Sequence, residues 1–278
     1  MIDRVIERAV REALEEDAAG RDITTSLLVP PGANGTARVV AREPGVISGQ
    51  ACAAEVFRQL GGAVWQDVAE DGEAVNVADT VARVSGSTAS ILSGERTALN
   101  FLCTLSGVAT LTSRFAAAVA GTGVRILDTR KTLPGLRALQ KTAVVHGGGV
   151  NHRPDLESMI LVKENHIAAA GGLAFVAGIL GDRIGDCEIE VTGISQLEDL
   201  AGNPPGRIML DNFSPDDVEE AVRIVRGWDG DVEIEVSGGM TLEKIGRYAG
   251  SGVDFISAGS ITASAPSLDL SMLLGTEA

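Results

Sequence analysis

From residue 124 onward, short apolar runs each end in a polar or charged residue and give way to a loop and then a helical pattern: VRILDTRK, MILVKENH, CEIEVTG, RIMLDNF, VEIEVSGG and VDFISAGS. The steps are even. Lys163 to Glu190 is 27 residues, Glu190 to Asp211 is 21, Asp211 to Glu235 is 24 and Glu235 to Ser257 is 22, each about one strand plus one helix. The intervening segments, such as SPDDVEEAVRIVRG and TLEKIGRYAG, open on Ser, Thr or acidic residues and close on Gly, as helix caps require. This repetition predicts an α/β (TIM-like) barrel, complete or partial.

A parallel barrel gathers its chemistry at the C-terminal ends of its strands. Those ends carry Arg130 and Lys131, Lys163, Glu190, Asp211, and two glycine turns, Ser237-Gly238-Gly239 and Ser257-Ala258-Gly259. Glycine at such a turn lets backbone N–H groups approach a phosphate, although tight turn geometry alone also explains it. The charge pattern agrees with an anion site. Between Arg125 and Lys163 there are seven basic residues against three acidic ones, within a chain whose net charge is −15. All three histidines, His146, His152 and His166, fall in or just beyond that window. The resulting mouth has a cationic half (Arg130, Lys131, His152, Arg153, Lys163), an acidic half (Glu190, Asp211) and a phosphate rim. A phosphorylated sugar with a pyrophosphate would use all three, with an anionic acceptor on the arginines. Planar guanidinium pairing favours a carboxylated acceptor over a phosphate one. A Schiff base on Lys163 or Lys131 is the alternative chemistry.

The first part of the chain reads as α+β. An amphipathic N-terminal helix precedes the strand-like GTARVVAREPGVIS and VWQDVAEDGEAVNVADTVARVSGSTASIL. GERTALNFLCTLSGVATLTSRFAAAVAG then predicts a packing helix that opens near Gly94 and puts Arg96 in its first turn. A cation is disfavoured there by the helix dipole, so an anionic partner and a plain surface arginine both fit. This part ends at about residue 105.

Composition excludes other classes. The 38 acidic against 23 basic residues disfavour nucleic acid and anionic membrane as partners. No apolar run reaches the roughly 20 residues of a membrane span. Cys52, Cys103 and Cys187 form no CxxC pair, which predicts neither zinc nor a disulfide framework and points to a reducing, cytoplasmic setting. No GxSxG nucleophile elbow occurs. The acidity, with only four lysines, fits a salt-adapted source or GC-rich coding.

The motifs GRDITT (20–25), ERTALNFL (95–102), LSGVAT (105–110), ILDTRKTLPGLR (126–137), GGGVNHR (147–153), LVKENHI (161–167), EVSGG (235–239) and ISAGSIT (256–262) resemble the quinolinate phosphoribosyltransferase family over nearly the whole chain. The resemblance implies an N-terminal α/β sandwich domain (1–105), completed by the C-terminal tail (267–278), joined to an incomplete α/β (TIM-like) barrel (106–266), working as a homodimer or a multiple of one. It implies decarboxylating phosphoribosyl transfer from phosphoribosyl pyrophosphate to quinolinate, giving nicotinate mononucleotide, pyrophosphate and CO2 in de novo NAD biosynthesis. It also implies Mg2+ as the cofactor. Carried over residue by residue, Arg130, His152, Arg153 and Lys163 would hold the quinolinate carboxylates, and Arg96 would reach the neighbouring subunit's site. Lys131 and Lys163 would assist the pyrophosphate, Glu190 and Asp211 would face ribose and metal, and Ser237, Gly238, Gly239, Ser257, Ala258 and Gly259 would line the 5-phosphate site. Ala263 departs from the family pattern, which commonly has His there. A relative with the same fold that serves molybdenum transport is the alternative.

Overall fold

The computed structural model describes residues 2–275, which divide into two compact units. The first comprises residues 1–113, 132–148 and 264–278, and the second 114–131 and 149–263; the last three residues of the expected tail, 276–278, lie outside the described residues. Segment 132–148 lies with the first unit, where the sequence reading had drawn it into the barrel.

In the first unit, helix α1 (Ile2–Glu16) and helix α2 (Ile23–Leu28) precede strand β1 (Asn34–Ala41) and strand β2 (Gly45–Val46). Helix α3 (Gln50–Leu60), strands β3 (Ala63–Asp67), β4 (Ala74–Val75) and β5 (Thr80–Ser87), and the long helix α4 (Thr88–Ala118) follow. Helix α5 (Arg137–His146) and the C-terminal strand, numbered β12 (Leu270–Leu274), complete it. A four-stranded antiparallel sheet runs β12-β1-β5-β3. Its buried residues include Ala37, Val39, Ala41, Ala82, Val84 and Leu270. Phe57 of α3 stacks on Trp65 of β3 with ring centres 5.7 Å apart. Asp22 of GRDITT caps α2: its Oδ1 accepts the Thr25 N–H at 2.9 Å, and hydrogen bonds from Thr25 hold its carboxyl below the usual range.

Helix α4 begins at Thr88, six residues before the predicted start at Gly94, so STASIL is mostly helix and not strand. Gly94 is a contact residue and not a cap. A Cβ there would lie 2.8 Å from the Phe57 ring. Arg96 therefore sits in the third turn, exposed, and the dipole argument made for it does not hold. Among the described residues this single helix is long and apolar enough to cross a membrane, but more than half of its apolar window is buried inside the protein, as in a core helix.

The second unit carries strands β6 (Arg125–Leu127), β7 (Ile160–Val162), β8 (Cys187–Val191), β9 (Arg207–Asp211), β10 (Glu233–Ser237) and β11 (Phe255–Ser257). They are the predicted runs. Helices α6 (Glu164–Ala170), α7 (Leu173–Leu180), α8 (Ser195–Leu200), α9 (Pro215–Val225), α10 (Leu242–Ile245) and α11 (Ser260–Ala263) alternate with them. The cap of α9 is built as its sequence dictates, with Ser214 Oγ accepting the Asp217 N–H and Pro215 in the first turn. All six strands are parallel, in the order β6-β11-β10-β9-β8-β7.

Strand alternation gives this sheet two faces. One face buries Ile126, Ile256, Ile234, Val236, Ile208, Leu210, Ile189 and Val191. The other face carries Phe255, Glu233, Glu235, Arg207, Met209, Glu188 and Glu190. Barrel interiors are usually filled with branched aliphatic residues; this one is ionic. Phe255 lies between two guanidinium groups, Arg125 at 4.3 Å and Arg207 at 4.2 Å from its ring centre.

Candidate active site

Every predicted strand-end residue falls in the second unit, where parallel register brings the ends together. Lys163 follows β7, and its ammonium bonds Glu190 on the adjacent β8. The second oxygen of Glu190 accepts the Glu164 N–H at 3.3 Å. On β9, Asp211 accepts from the side chain of Asn212 at 2.7 Å. Glu190 and Asp211 thus end neighbouring strands as oxygen donors, and neither is fully buried.

The glycine turns are close-packed. Asn212 has a positive φ of 59° and donates its N–H to the Ser237 carbonyl at 3.0 Å, tying the end of β9 to the end of β10. Gly238 has φ of 102°, and a Cβ there would lie 2.7 Å from the Asn212 backbone nitrogen and 2.3 Å from its side-chain oxygen. Only glycine fits. After β11, the stem of Lys131 rests against Gly259, and Thr262 Oγ1 donates to the Lys131 carbonyl at 2.7 Å.

The loop after β6 supplies the Arg130 guanidinium and the loop before β7 that of Arg153. Burial, and then the neighbouring Arg130, lower the pKa of Arg153; two cations share one half-buried place. Arg153 Nη1 donates to the Met159 carbonyl at 3.1 Å, which fixes the direction of its side chain. Such a pair is stabilised by an anion with two acceptor groups.

His152 is buried, and both its ring nitrogens face the chain's own groups. Nδ1 accepts the Arg153 N–H at 2.7 Å, while Nε2 lies 3.0 Å from Glu188 and 3.5 Å from Glu235. Neither of those two contacts is aligned as a linear hydrogen bond. Burial, and then the Glu188 carboxylate, push the Glu235 carboxyl well above the usual glutamate range, with Ser257 and Arg207 acting in the opposite direction. Arg207 lies 3.9 Å from Glu188 and 3.6 Å from Glu235 and pairs with Glu233 at 2.6 Å.

Sequence reasoning missed this buried tier. The signal was present, since Glu188 and Glu235 stand two residues before Glu190 and Ser237 and so share their face. Among the described residues, ligand-type atoms of His152, Glu188 and Glu235 lie within 4.8 Å of one another. A cation is disfavoured there. With Nδ1 accepting a hydrogen bond, the ring proton is on Nε2, and the Arg207 guanidinium already faces both carboxylates.

The remaining histidines do other work. His166 Nδ1 accepts the Lys163 N–H at 3.0 Å at the start of α6, and His146 bonds Ser48 in the first unit. Arg137 and Lys141, counted in the basic window, also belong to the first unit, as does Arg96.

Two family models match the chain: the quinolinate phosphoribosyl transferase N-terminal domain over residues 22–106 and the C-terminal domain over residues 108–273. The nicotinate-nucleotide pyrophosphorylase [carboxylating] of Mycobacterium leprae is 41% identical over 271 residues, covering 95% of each chain. A probable nicotinate-nucleotide pyrophosphorylase [carboxylating] of Synechocystis is 40% identical over 242 residues, covering 86% of this chain and 82% of its own. The solved structure of the Francisella tularensis nicotinate-nucleotide pyrophosphorylase superposes with a TM-score of 0.89 at 38% identity, covering 98% of this chain and 97% of that one. The chain belongs to the quinolinate phosphoribosyltransferase family.

Proposed function

We propose that the chain transfers the ribose-5-phosphate of phosphoribosyl pyrophosphate to the ring nitrogen of quinolinate with loss of the 2-carboxylate, giving nicotinate mononucleotide, pyrophosphate and CO2 for de novo NAD biosynthesis. The observation that carries this reading is the Arg130–Arg153 pair at the same strand-end mouth as Lys163, Glu190 and Asp211. A planar dicarboxylate relieves the crowding of the two cations. Arg130, Arg153 and Lys163 hold its carboxylates, with His152 beneath them. Glycine-turn backbone at 237–239 and 257–259 receives the 5-phosphate.

The quinolinate nitrogen is itself the nucleophile. As pyrophosphate departs, positive charge develops on the ribose, and Glu190 and Asp211 face that charge while Lys131 and Lys163 face the leaving group. Clamping both carboxylates aligns the nitrogen with the anomeric carbon, a contribution of up to roughly 7 to 11 kcal/mol for well-oriented reactants. The C2–carboxylate bond then breaks, its electron pair remaining on C2 beside the pyridinium nitrogen until C2 takes a proton.

Glu190 and Asp211 suit Mg2+, a hard ion that takes one or two carboxylates together with substrate phosphates and water. When bound, Mg2+ supplies charge neutralisation at the departing pyrophosphate. Exposed Arg96 on α4 serves the site of a second copy in a homodimer or a multiple of one. The three free cysteines suit a reducing cytoplasm.

The test is release of 14CO2 from quinolinate labelled in the 2-carboxylate. Release that requires both phosphoribosyl pyrophosphate and Mg2+ supports the reading. Silence from folded protein across a range of KCl concentrations refutes it.

A further inference from the structure

The ionic tier under the mouth leads to Arg153 in two steps. Glu188 and Glu235 are fully buried on β8 and β10, and their carboxylates flank His152 Nε2 at 3.0 and 3.5 Å. On the other side of the ring, Nδ1 accepts the Arg153 N–H at 2.7 Å. The backbone N–H of His152 is itself held by buried Asp128 at 2.8 Å. A neutral imidazole has one donor and one acceptor nitrogen, so its tautomer decides whether Nδ1 can anchor Arg153. Two buried acceptors at Nε2 hold the proton there, and Arg207 offsets their charge from 3.6 and 3.9 Å.

We propose that Glu188, supported by Glu235, is a positioning residue for quinolinate: it keeps the His152 proton on Nε2, leaves Nδ1 to hold the Arg153 backbone, and so aims the Arg153 guanidinium. This rests on the role given to Arg153 under the proposed function. Arg153 is then fixed at both ends, by His152 at its backbone and by Met159 at its guanidinium. Removing the nearer acceptor at Nε2 leaves a buried N–H with Glu235 at 3.5 Å in place of Glu188 at 3.0 Å, which favours a turn of the ring or a move of its proton, and either change frees the Arg153 backbone.

The test uses the full-length protein, labelled with 15N at histidine. Two-bond 1H–15N correlation spectra distinguish the tautomers, and H146Q and H166Q assign the three rings. Wild type should show His152 protonated at Nε2, and so should Glu188→Gln, which retains an acceptor oxygen. Glu188→Met should lose that pattern and weaken quinolinate binding at least tenfold, with the Kd of phosphoribosyl pyrophosphate changed less than twofold. Purely structural damage would move both affinities together.

A wild-type ring protonated at Nδ1 overturns the proposal, and so does folded E188M with wild-type quinolinate affinity or with the His152 pattern unchanged. If E188M does not fold, the wild-type and E188Q patterns still decide it. A wild type that fails to bind quinolinate overturns the functional reading, and the His152 patterns, recorded without ligand, still decide the positioning role.

Discussion

Replacing Arg153 by Ala separates a binding role from a structural one, because the two predict opposite effects on the unliganded protein. In the folded chain Arg153 is half-buried beside Arg130, and burial and that neighbour both destabilise its charged form, while its guanidinium donates to the Met159 carbonyl at 3.1 Å. Losing that bond costs about 1 kcal/mol, and relief of like-charge crowding offsets part of it. Unliganded R153A should therefore unfold within about 1 kcal/mol of wild type. Binding should respond differently. Hydrogen bonds to a charged group contribute about 1.5 to 3 kcal/mol each, and a guanidinium makes two to a carboxylate, so R153A should lose roughly 3 to 6 kcal/mol of quinolinate affinity. At 1.4 kcal/mol per tenfold, that is a Kd raised about 100- to 20,000-fold. Calorimetric titration measures it, with urea unfolding as the control. R130A should act on the same dianion, so the R130A/R153A double variant should lose less than the sum of the singles. Quinolinate affinity within threefold of wild type in folded R153A would refute the clamp.

Three further predictions follow from other parts of the molecule. Gly238→Ala forces a left-handed backbone on Ala and drives a Cβ into Asn212, so it should cost roughly 2 to 6 kcal/mol in urea unfolding and raise the KM for phosphoribosyl pyrophosphate more than that for quinolinate; a wild-type midpoint would show that the turn can relax. Burial and Glu188 raise the Glu235 pKa above its ordinary 4.5, so above pH 4.5 the folded chain binds more protons than the unfolded one, and stability falls as pH rises toward the folded value. Glu235→Gln, which cannot ionise, should flatten that fall, with urea midpoints that separate in its favour by pH 8; parallel pH curves would refute the burial argument. Mixing inactive R96A with inactive K163A, after denaturation and refolding together, should restore about a quarter of wild-type activity if Arg96 completes the site of the other copy in a two-fold dimer. No recovery would place Arg96 elsewhere.

The second unit was legible because its signal is local and repeated. Each strand ends on a residue whose chemistry differs from the apolar run before it, and parallel register brings those ends together whatever the details of the helices between them. The start of α4 was illegible for the opposite reason. Gly94 looks like a helix boundary by local propensity, and its actual cause is the ring of Phe57, which is 37 residues away in the chain and adjacent only once α3 has packed. Segment 132–148 packs with the first unit although the chain places it after β6, and nothing in TLPGLRALQKTAVVHGG says which unit its buried Leu139, Ala143 and Val144 will cover.

The buried ionic tier was hidden in plain sequence by the convention that strand interiors are apolar. In CEIEV and VEIEV the outer glutamates, Glu190 and Glu235, were both read for their spacing, but only the strand-end positions were read for chemistry. Period-two alternation puts Glu188 on the face of Glu190 and Glu235 on the face of the strand-end Ser237, so each of these carboxylates lies beneath a residue of the mouth. Such a residue cannot stay buried without a partner. Once Glu188 and Glu235 are placed inward, a cation or an N–H donor is therefore required beside them, and the Arg207 guanidinium on β9 and the Nε2–H of His152 ahead of β7 meet that requirement. The partner that reaches them from the loop is the residue directly before Arg153. The charge balance of the buried layer is thereby tied to the geometry of the anion site above it, which is why a change at Glu188 should be read in quinolinate affinity.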